Sequence, residues 1–317
     1  MNRARVGLVR RGDDRRKNVF NAMDLVRDDL IPKIGKEVML KPNFLSSSNQ
    51  LASTHPDAIR GAIDFLLSCP DRPDKILVAE GGNEKQSGEA FDNFGYRAIP
   101  DEFDIPIELI DLNQETAWET IEIYLGDRSA YTVYMPQSVL ECPCTISVAV
   151  AKTHNVCCVT LSVKNMIVGT IRKQDRGKMH GNPGVDNFDA SDEARCLNIN
   201  LIRLARHLTP TIGVVDGTVG LQGNGPGGTD GIPFGSAGAS SDPFAVDAVM
   251  AKAMGFEPME LGLLSYANDL GMGTADLDHI DVAGESIASL LRRFKPHETN
   301  ALQLQWHDEE ADRYLSV

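Results

Sequence analysis

The stretch Val148–His180, VAVAKTHNVCCVTLSVKNMIVGTIRKQDRGKMH, reads as a buried strand, a turn and a second apolar segment. The strand begins at Thr145 and stops at Lys152-Thr153-His154. A short, uninterrupted apolar run rich in β-branched residues suits a strand covered on both faces, as in parallel sheets. The second segment carries Thr160 and Ser162 and ends at Lys164-Asn165. Between Lys152 and His180, six Lys or Arg stand against one acid, Asp175, in a chain of formal net charge −14. Local potential rather than net charge draws a ligand, so this concentration of cations points to an anion site. Lys173, Arg176 and Lys178 lie in a polar, turn-like run and are expected on the solvated surface. Lys152 and Lys164 follow runs apolar enough to be buried, and that is where a site is expected.

Outward from this stretch, strands and helices alternate. Arg5–Val9, Glu37–Leu40, Lys75–Ala79, Ile107–Leu112, Thr145–Val150, Thr211–Val215 and Ile280–Val282 read as strands, and Tyr131–Leu140 as an edge strand. Helices are expected over Asn18–Ile31, Thr54–Ser68, Ala194–Leu208, from Asp242 to Gly255, and over Pro258–Leu270, from apolar spacing and capping residues. Such alternation predicts an α/β fold: a largely parallel sheet with helices on both faces. The expected organisation is one α/β body over residues 1–317, with lobes over 1–143 and 144–317.

Composition narrows the function. Hydrophobic content of 42% and charged content of 24% are those of an ordinary globular chain. Net charge −14 argues against nucleic acid as a partner, because that binding is driven by phosphate neutralisation. No apolar run is long enough to cross a bilayer, and the N-terminal segment lacks the apolar core of a secretory signal. A cytoplasmic location without a membrane partner is therefore expected, and the oligomeric state is left open. The six cysteines, Cys69, Cys142, Cys144, Cys157, Cys158 and Cys196, lack metal-ligand spacing and are expected to be buried thiols.

Four strand ends share one design: an apolar run stops at a charged group beside a turn. They are Leu40-Lys41-Pro42-Asn43, Ala79-Glu80-Gly81-Gly82, Ala151-Lys152-Thr153-His154 and Val215-Asp216-Gly217. Ligands of open α/β sheets bind outside the carboxyl ends of the strands, so these residues are expected around one cleft. Lys152, His154, Lys164 and Asp216 are the candidate catalytic residues, as cations, proton carriers or base. Lys41, Asn43, Asn165, Arg172 and the glycine-rich Gly223-Asn224-Gly225 are candidates for binding substrate. A divalent metal, if one takes part, would be held by Glu80 and Asp216. The glycine-rich loop after Gly217 fits neither the P-loop nor the dinucleotide fingerprint, and it could also be a lid or a long turn. Asp242 and His55 sit where helices begin and have capping as their simpler role.

The same residues carry a resemblance to a family. Leu40-Lys41-Pro42-Asn43, Thr54-His55-Pro56, Glu80-Gly81-Gly82, Ala151-Lys152-Thr153-His154, Thr160 through Lys164-Asn165 to Gly169, Val215-Asp216-Gly217, Gly223-Asn224-Gly225-Pro226 and Asp242-Pro243-Phe244-Ala245-Val246-Asp247 keep the order of the domain of unknown function 362 family. That resemblance implies an α/β domain of prokaryotic type without a settled activity. Some relatives carry a ferredoxin-like iron–sulfur segment, but this sequence lacks the required cysteine run, so no such cluster is expected. Two functions remain in view. One is an enzyme acting on a small carboxylate or phosphate compound, with or without a metal; the other is a non-catalytic ligand-binding or redox-accessory protein.

Overall fold

The computed structural model describes residues 3–10, 12–83 and 87–315. Its strands are β1 (Ala4–Arg10), β2 (Glu37–Lys41), β3 (Lys75–Glu80), β4 (Ile107–Asp111), β5 (Trp118–Tyr124), β6 (Ala130–Pro136), β7 (Thr145–Thr153), β8 (Val159–Thr160), β9 (Ile212–Leu221), β10 (Gly231–Ser240) and β11 (Ile280–Gly284). The main sheet has the order β11-β1-β10-β9-β7-β2-β3-β4, with β8 paired to the end of β7. Within it β2, β3, β4, β7 and β9 run parallel, as do β1 and β11. β10 runs antiparallel to both its neighbours, β1 and β9. The chain is thus α/β, with a large, mostly parallel sheet flanked by helices. Hydrogen bonding runs unbroken across the expected 143/144 division, since β2 pairs with β7.

Each face of the sheet buries its own core. On one, Val38, Leu40, Ile76, Val78, Val148 and Val214 pack with Val19 and Met23 of the helix Arg15–Asp24 and Ile59, Ile63 and Leu66 of the helix Pro56–Leu67. On the other, Met39, Ala79, Ala151 and Val215 meet the helices Ser162–Thr170, Ala190–Leu208 and Pro243–Met254. All nine residues of β7 are buried, as its composition predicts for a central strand.

Three local expectations are corrected. The stretch read as one helix over Asn18–Ile31 breaks after Asp24 and resumes at Arg27. The expected edge strand is β6, which pairs only with β5 in a separate two-stranded sheet. β9 does not end at Asp216 but continues to Leu221, because β10 supplies antiparallel partners from Gly213 to Leu221. β10, GIPFGSAGAS, has too few large apolar residues for the alternation that marks a strand.

Gly7 lies where β1 touches the helix Arg15–Asp24, and a Cβ there would overlap the carbonyl oxygen of Ala22. Gly7→Ala is expected to cost about 1–3 kcal/mol by forcing helix and strand apart. Gly177→Ala has open space around the new methyl and should stay within about 0.5 kcal/mol of the parent. Urea unfolding of the two variants measures the difference.

Candidate functional site

β2 delivers Lys41 into complete burial. Its Nζ donates to Glu80 Oε1 at 2.7 Å, Pro42 O at 2.8 Å and Asn165 Oδ1 at 3.1 Å. Burial pushes the Lys41 ammonium down and the Glu80 carboxylate pushes it back up. Three acceptors around one nitrogen require three N–H bonds, so the geometry holds Lys41 as an ammonium. Glu80, at the end of β3, also accepts from the backbone N–H groups of Phe44, at 3.2 Å, and Gly82. Gly169 gives this pair its room: a Cβ there would overlap Lys41 Nζ.

From Lys41 a chain of amides crosses to β7. Asn165 Oδ1 also accepts from Asn43 Nδ2 at 2.8 Å, and Asn165 Nδ2 donates to Ser147 Oγ at 2.9 Å. Asn43 Oδ1 then accepts from Lys152 Nζ at 2.8 Å, while Lys152 donates again to Ala52 O at 2.7 Å. Every amide is therefore oriented by a partner that can play one role only. Burial drives Lys152 well below the usual lysine range.

The helix Ser162–Thr170 supplies Lys164 and Asn165, and its first turn is capped from another helix. Asp247 accepts from Ser162 N at 2.8 Å, Ser162 Oγ at 2.6 Å and Val163 N at 2.9 Å. A carboxylate at a helix N-terminus satisfies amides that have no partner within the helix. Burial nevertheless pushes the Asp247 carboxyl up to about 7, against the pull of these donors. Lys164 Nζ lies 3.0 Å from His154 Nε2. The other ring nitrogen, Nδ1, accepts from Val156 N at 3.0 Å. Burial above all holds His154 well below its ordinary range.

These groups surround one small hollow of about 60 Å³, room for only a few non-hydrogen atoms. Of the expected residues, Asn43, Glu80, Lys152, His154, Lys164 and Asn165 line it, and Lys41 sits buried against Glu80 and Asn165. Two further lining residues, Arg176 and Thr160, were not among the site candidates. Arg176 is buried, contrary to the surface expectation, and donates to the carbonyls of Gly169 and Ile171 at 3.1 Å. The flanking apolar Ile171 and Met179, both fully buried, were the available signal. Thr160 stands opposite Lys152 in the β7–β8 ladder, and its buried Oγ1 has no hydrogen-bond partner among the described residues.

Other expected residues lie elsewhere. Asp216 falls in the middle of β9, pairs with Arg15 at 2.6 Å and lines a different hollow with His55. Arg172 forms a two-point pair with Asp175, at 3.0 and 2.9 Å, and covers the Tyr134 ring. Gly223 and Gly225 pack on β7, where Thr153 Oγ1 donates to Gly223 O at 2.9 Å and a Cβ on Gly225 would overlap Thr153 O. Asn224 is exposed, so Pro226 is the loop residue that reaches the hollow. Glu80 and Asp216, the suggested metal ligands, are committed to Lys41 and Arg15 on separate hollows. Among the described residues no group of three or more His, Cys, Asp or Glu is arranged to hold a metal ion. His55 and Asp242 cap helices, accepting from Asp57 N and from Phe244 N and Ala245 N respectively, each at 3.1 Å.

A mostly parallel α/β sheet with a charged hollow at its strand ends defines the class of protein. Residues 38–252 match the family described as "Domain of unknown function (DUF362)", and the chain belongs to it. A thylakoid-associated protein of Synechocystis sp. is 22% identical over 243 residues, covering 76% of this chain and 70% of the relative. Among solved structures, the lactate racemase apoprotein from Thermoanaerobacterium thermosaccharolyticum aligns with a TM-score of 0.41 and 13% identity. That alignment covers 68% of this chain, which spans 50% of the other. Among the described residues no helix is long and apolar enough to cross a membrane.

Glu80→Ala strands a buried ammonium and should cost about 3–5 kcal/mol, measured by urea unfolding. Asp247 gives a separate, pH-dependent expectation. A carboxyl raised to about 7 in the fold binds more protons there than in the unfolded chain between its ordinary range and about 7. Its contribution to stability is complete below the ordinary carboxylate range and falls as pH rises towards about 7. Unfolding midpoints measured across that window should fall with pH in the parent, with a shallower slope in Asp247→Asn.

Proposed function

We propose that the hollow is the active site of an enzyme acting on a small molecule that carries a carboxylate or phosphate group. One observation supports this above the rest: Lys152 and Arg176 line the hollow beside the Lys164 amine with a single carboxylate, Glu80, which is already paired with Lys41. No carboxylate among the described residues lies within ion-pair distance of Lys152, Lys164 or Arg176. Buried cations without a counter-charge are costly, and an anionic ligand relieves that cost. Lys152 donates to two protein acceptors, so an ammonium there has its third N–H for the ligand. The Thr160 hydroxyl, buried and unpartnered on the wall, is a second polar group suited to ligand oxygen.

Binding should take up a proton. Burial pushes Lys152 down, and a bound anion would push it up again. The other ionisable groups around the hollow are Lys41, Glu80, His154, Lys164 and Arg176. Affinity for inorganic phosphate or pyruvate is therefore expected to fall as pH rises, with net proton uptake seen by calorimetry in buffers of different ionisation enthalpy. Lys152→Met should lose about 1–3 kcal/mol of binding, the value of a charge-assisted hydrogen bond. Lys178→Met, a partly exposed lysine over the Tyr131 ring, should change binding little. Equal losses from both variants would mean diffuse potential rather than a site. Turnover of a bound carboxylate or phosphate compound then separates an enzyme from a binding protein.

A further inference from the structure

The contact between Lys164 and His154 fixes which atom carries the proton. The backbone N–H of Val156 points at His154 Nδ1, at 3.0 Å, so that nitrogen must present its lone pair. A neutral imidazole with Nδ1 unprotonated carries its hydrogen on Nε2. Nε2 faces Lys164 Nζ at 3.0 Å. An ammonium there would set N–H against N–H, and only an uncharged amine can accept from Nε2–H. The Val156 amide cannot easily turn away. The turn is closed by His154 N donating to Cys158 O at 2.8 Å, and Cys158 N donates to the buried Gln303 side chain at 2.5 Å. Burial also pushes the Lys164 amine down, and burial holds the adjacent Cys157 thiol protonated, up to about 11. Lys152, Glu80 and Arg176 face Lys164 across the hollow, and Asp247 lies beside it on its apolar side.

We infer that His154 holds Lys164 as an uncharged amine, and that Lys164 is the nucleophile towards a small aldehyde or ketone bearing an anionic group, forming an imine. This rests on the proposed anion site, which would anchor the carboxylate or phosphate while the carbonyl carbon meets Nζ. The Nζ lone pair leaves its hydrogen bond with His154 Nε2–H and forms the C–N bond as the carbonyl π pair moves to oxygen. The proton released from nitrogen passes to that oxygen, giving a carbinolamine. A second proton, taken from solvent, allows the oxygen to leave as water while the nitrogen lone pair forms the C=N bond. The sum is amine, carbonyl and one proton giving protonated imine and one water. The Thr160 hydroxyl is placed to donate to the oxygen as charge develops. A lysine freed of its charge by burial is the usual starting point for such chemistry.

The test uses glyoxylate, the smallest anionic aldehyde, with cyanoborohydride to reduce any imine, followed by intact-mass and peptide mapping. At about pH 7 ordinary lysines are almost wholly ammonium. The expected result is one carboxymethyl group on Lys164, none in Lys164→Arg, and strongly reduced labelling in Lys152→Met. Acetaldehyde, which lacks the anion, should label Lys164 far more slowly. Carbon-13 NMR of lysine Cε in the parent, with the Lys164 signal assigned by Lys164→Arg, reads the protonation state without any probe. It should show the amine shift where exposed lysines show the ammonium shift. If Lys164 is an ammonium, or if glyoxylate competes with phosphate yet labels only exposed lysines, the inference is overturned and the anion site stands. If Lys164 is labelled equally by both aldehydes and independently of Lys152, the amine stands and the anion reading fails. Neither binding nor labelling overturns both.

Discussion

The buried pair between Lys41 and Glu80 is the constraint from which the rest of the hollow follows. Removing two charges from water is expensive, and their mutual attraction offsets that only when the remaining donors and acceptors are also met. Here each demand fixes a neighbour. The ammonium needs a third acceptor and fixes the Asn165 amide; that amide orients Asn43, and Asn43 positions Lys152. Glu80 in turn holds the backbone of Phe44 and Gly82 at the rims of two separate strand ends. The pair is better understood as setting geometry than as adding stability, because a well-packed apolar pair could be as stable.

Three lysines share this burial and meet different fates. Lys41 keeps its proton because carboxylate and carbonyl oxygens surround it. Lys164 faces His154 Nε2, and on the inferred tautomer its lone pair accepts from that ring N–H. Lys152 lies between these cases, with two oxygen acceptors and no carboxylate. Equal desolvation thus yields unequal chemistry, and the deciding factor is whether the nearest atom donates or accepts. The helix bearing Lys164 depends on a second buried carboxylate, Asp247, contributed by a neighbouring helix.

Much of this was legible in the sequence, for physical reasons that differ by residue. β7 announces itself because a strand covered on both faces must be apolar throughout, and the lysine ending it is conspicuous for that reason. Parallel strands deliver their carboxyl ends to one edge, so Lys41, Glu80 and Lys152 could be grouped without coordinates. Asp216 could not be placed, because the length of β9 is set by β10, whose small residues carry no alternating pattern. Arg172 and Arg176 look alike in sequence and exchange their expected roles. A nearby acid claims Arg172, whereas Arg176 turns inward to the carbonyls of Gly169 and Ile171. The direction of the Lys164–His154 hydrogen bond depends on a single backbone amide, that of Val156. No pattern of residue types encodes that.

The position of β1 has a consequence for how the chain is made. Residues 7–10 pair with residues 236–239, and Ala4–Leu8 pairs with Ile280–Gly284. β1 therefore leaves the ribosome long before β10 and β11, the two strands that pair with its edges. Until then its apolar residues, among them the fully buried Val6 and Leu8, have no sheet to join. Long-range pairing of this kind slows folding and prolongs exposure of sticky edges. The strands from β2 to β4 are close in sequence and can assemble earlier around the helix Pro56–Leu67. Closing the sheet at β1 is then a late event, and its edges stay open until β10 and β11 are made.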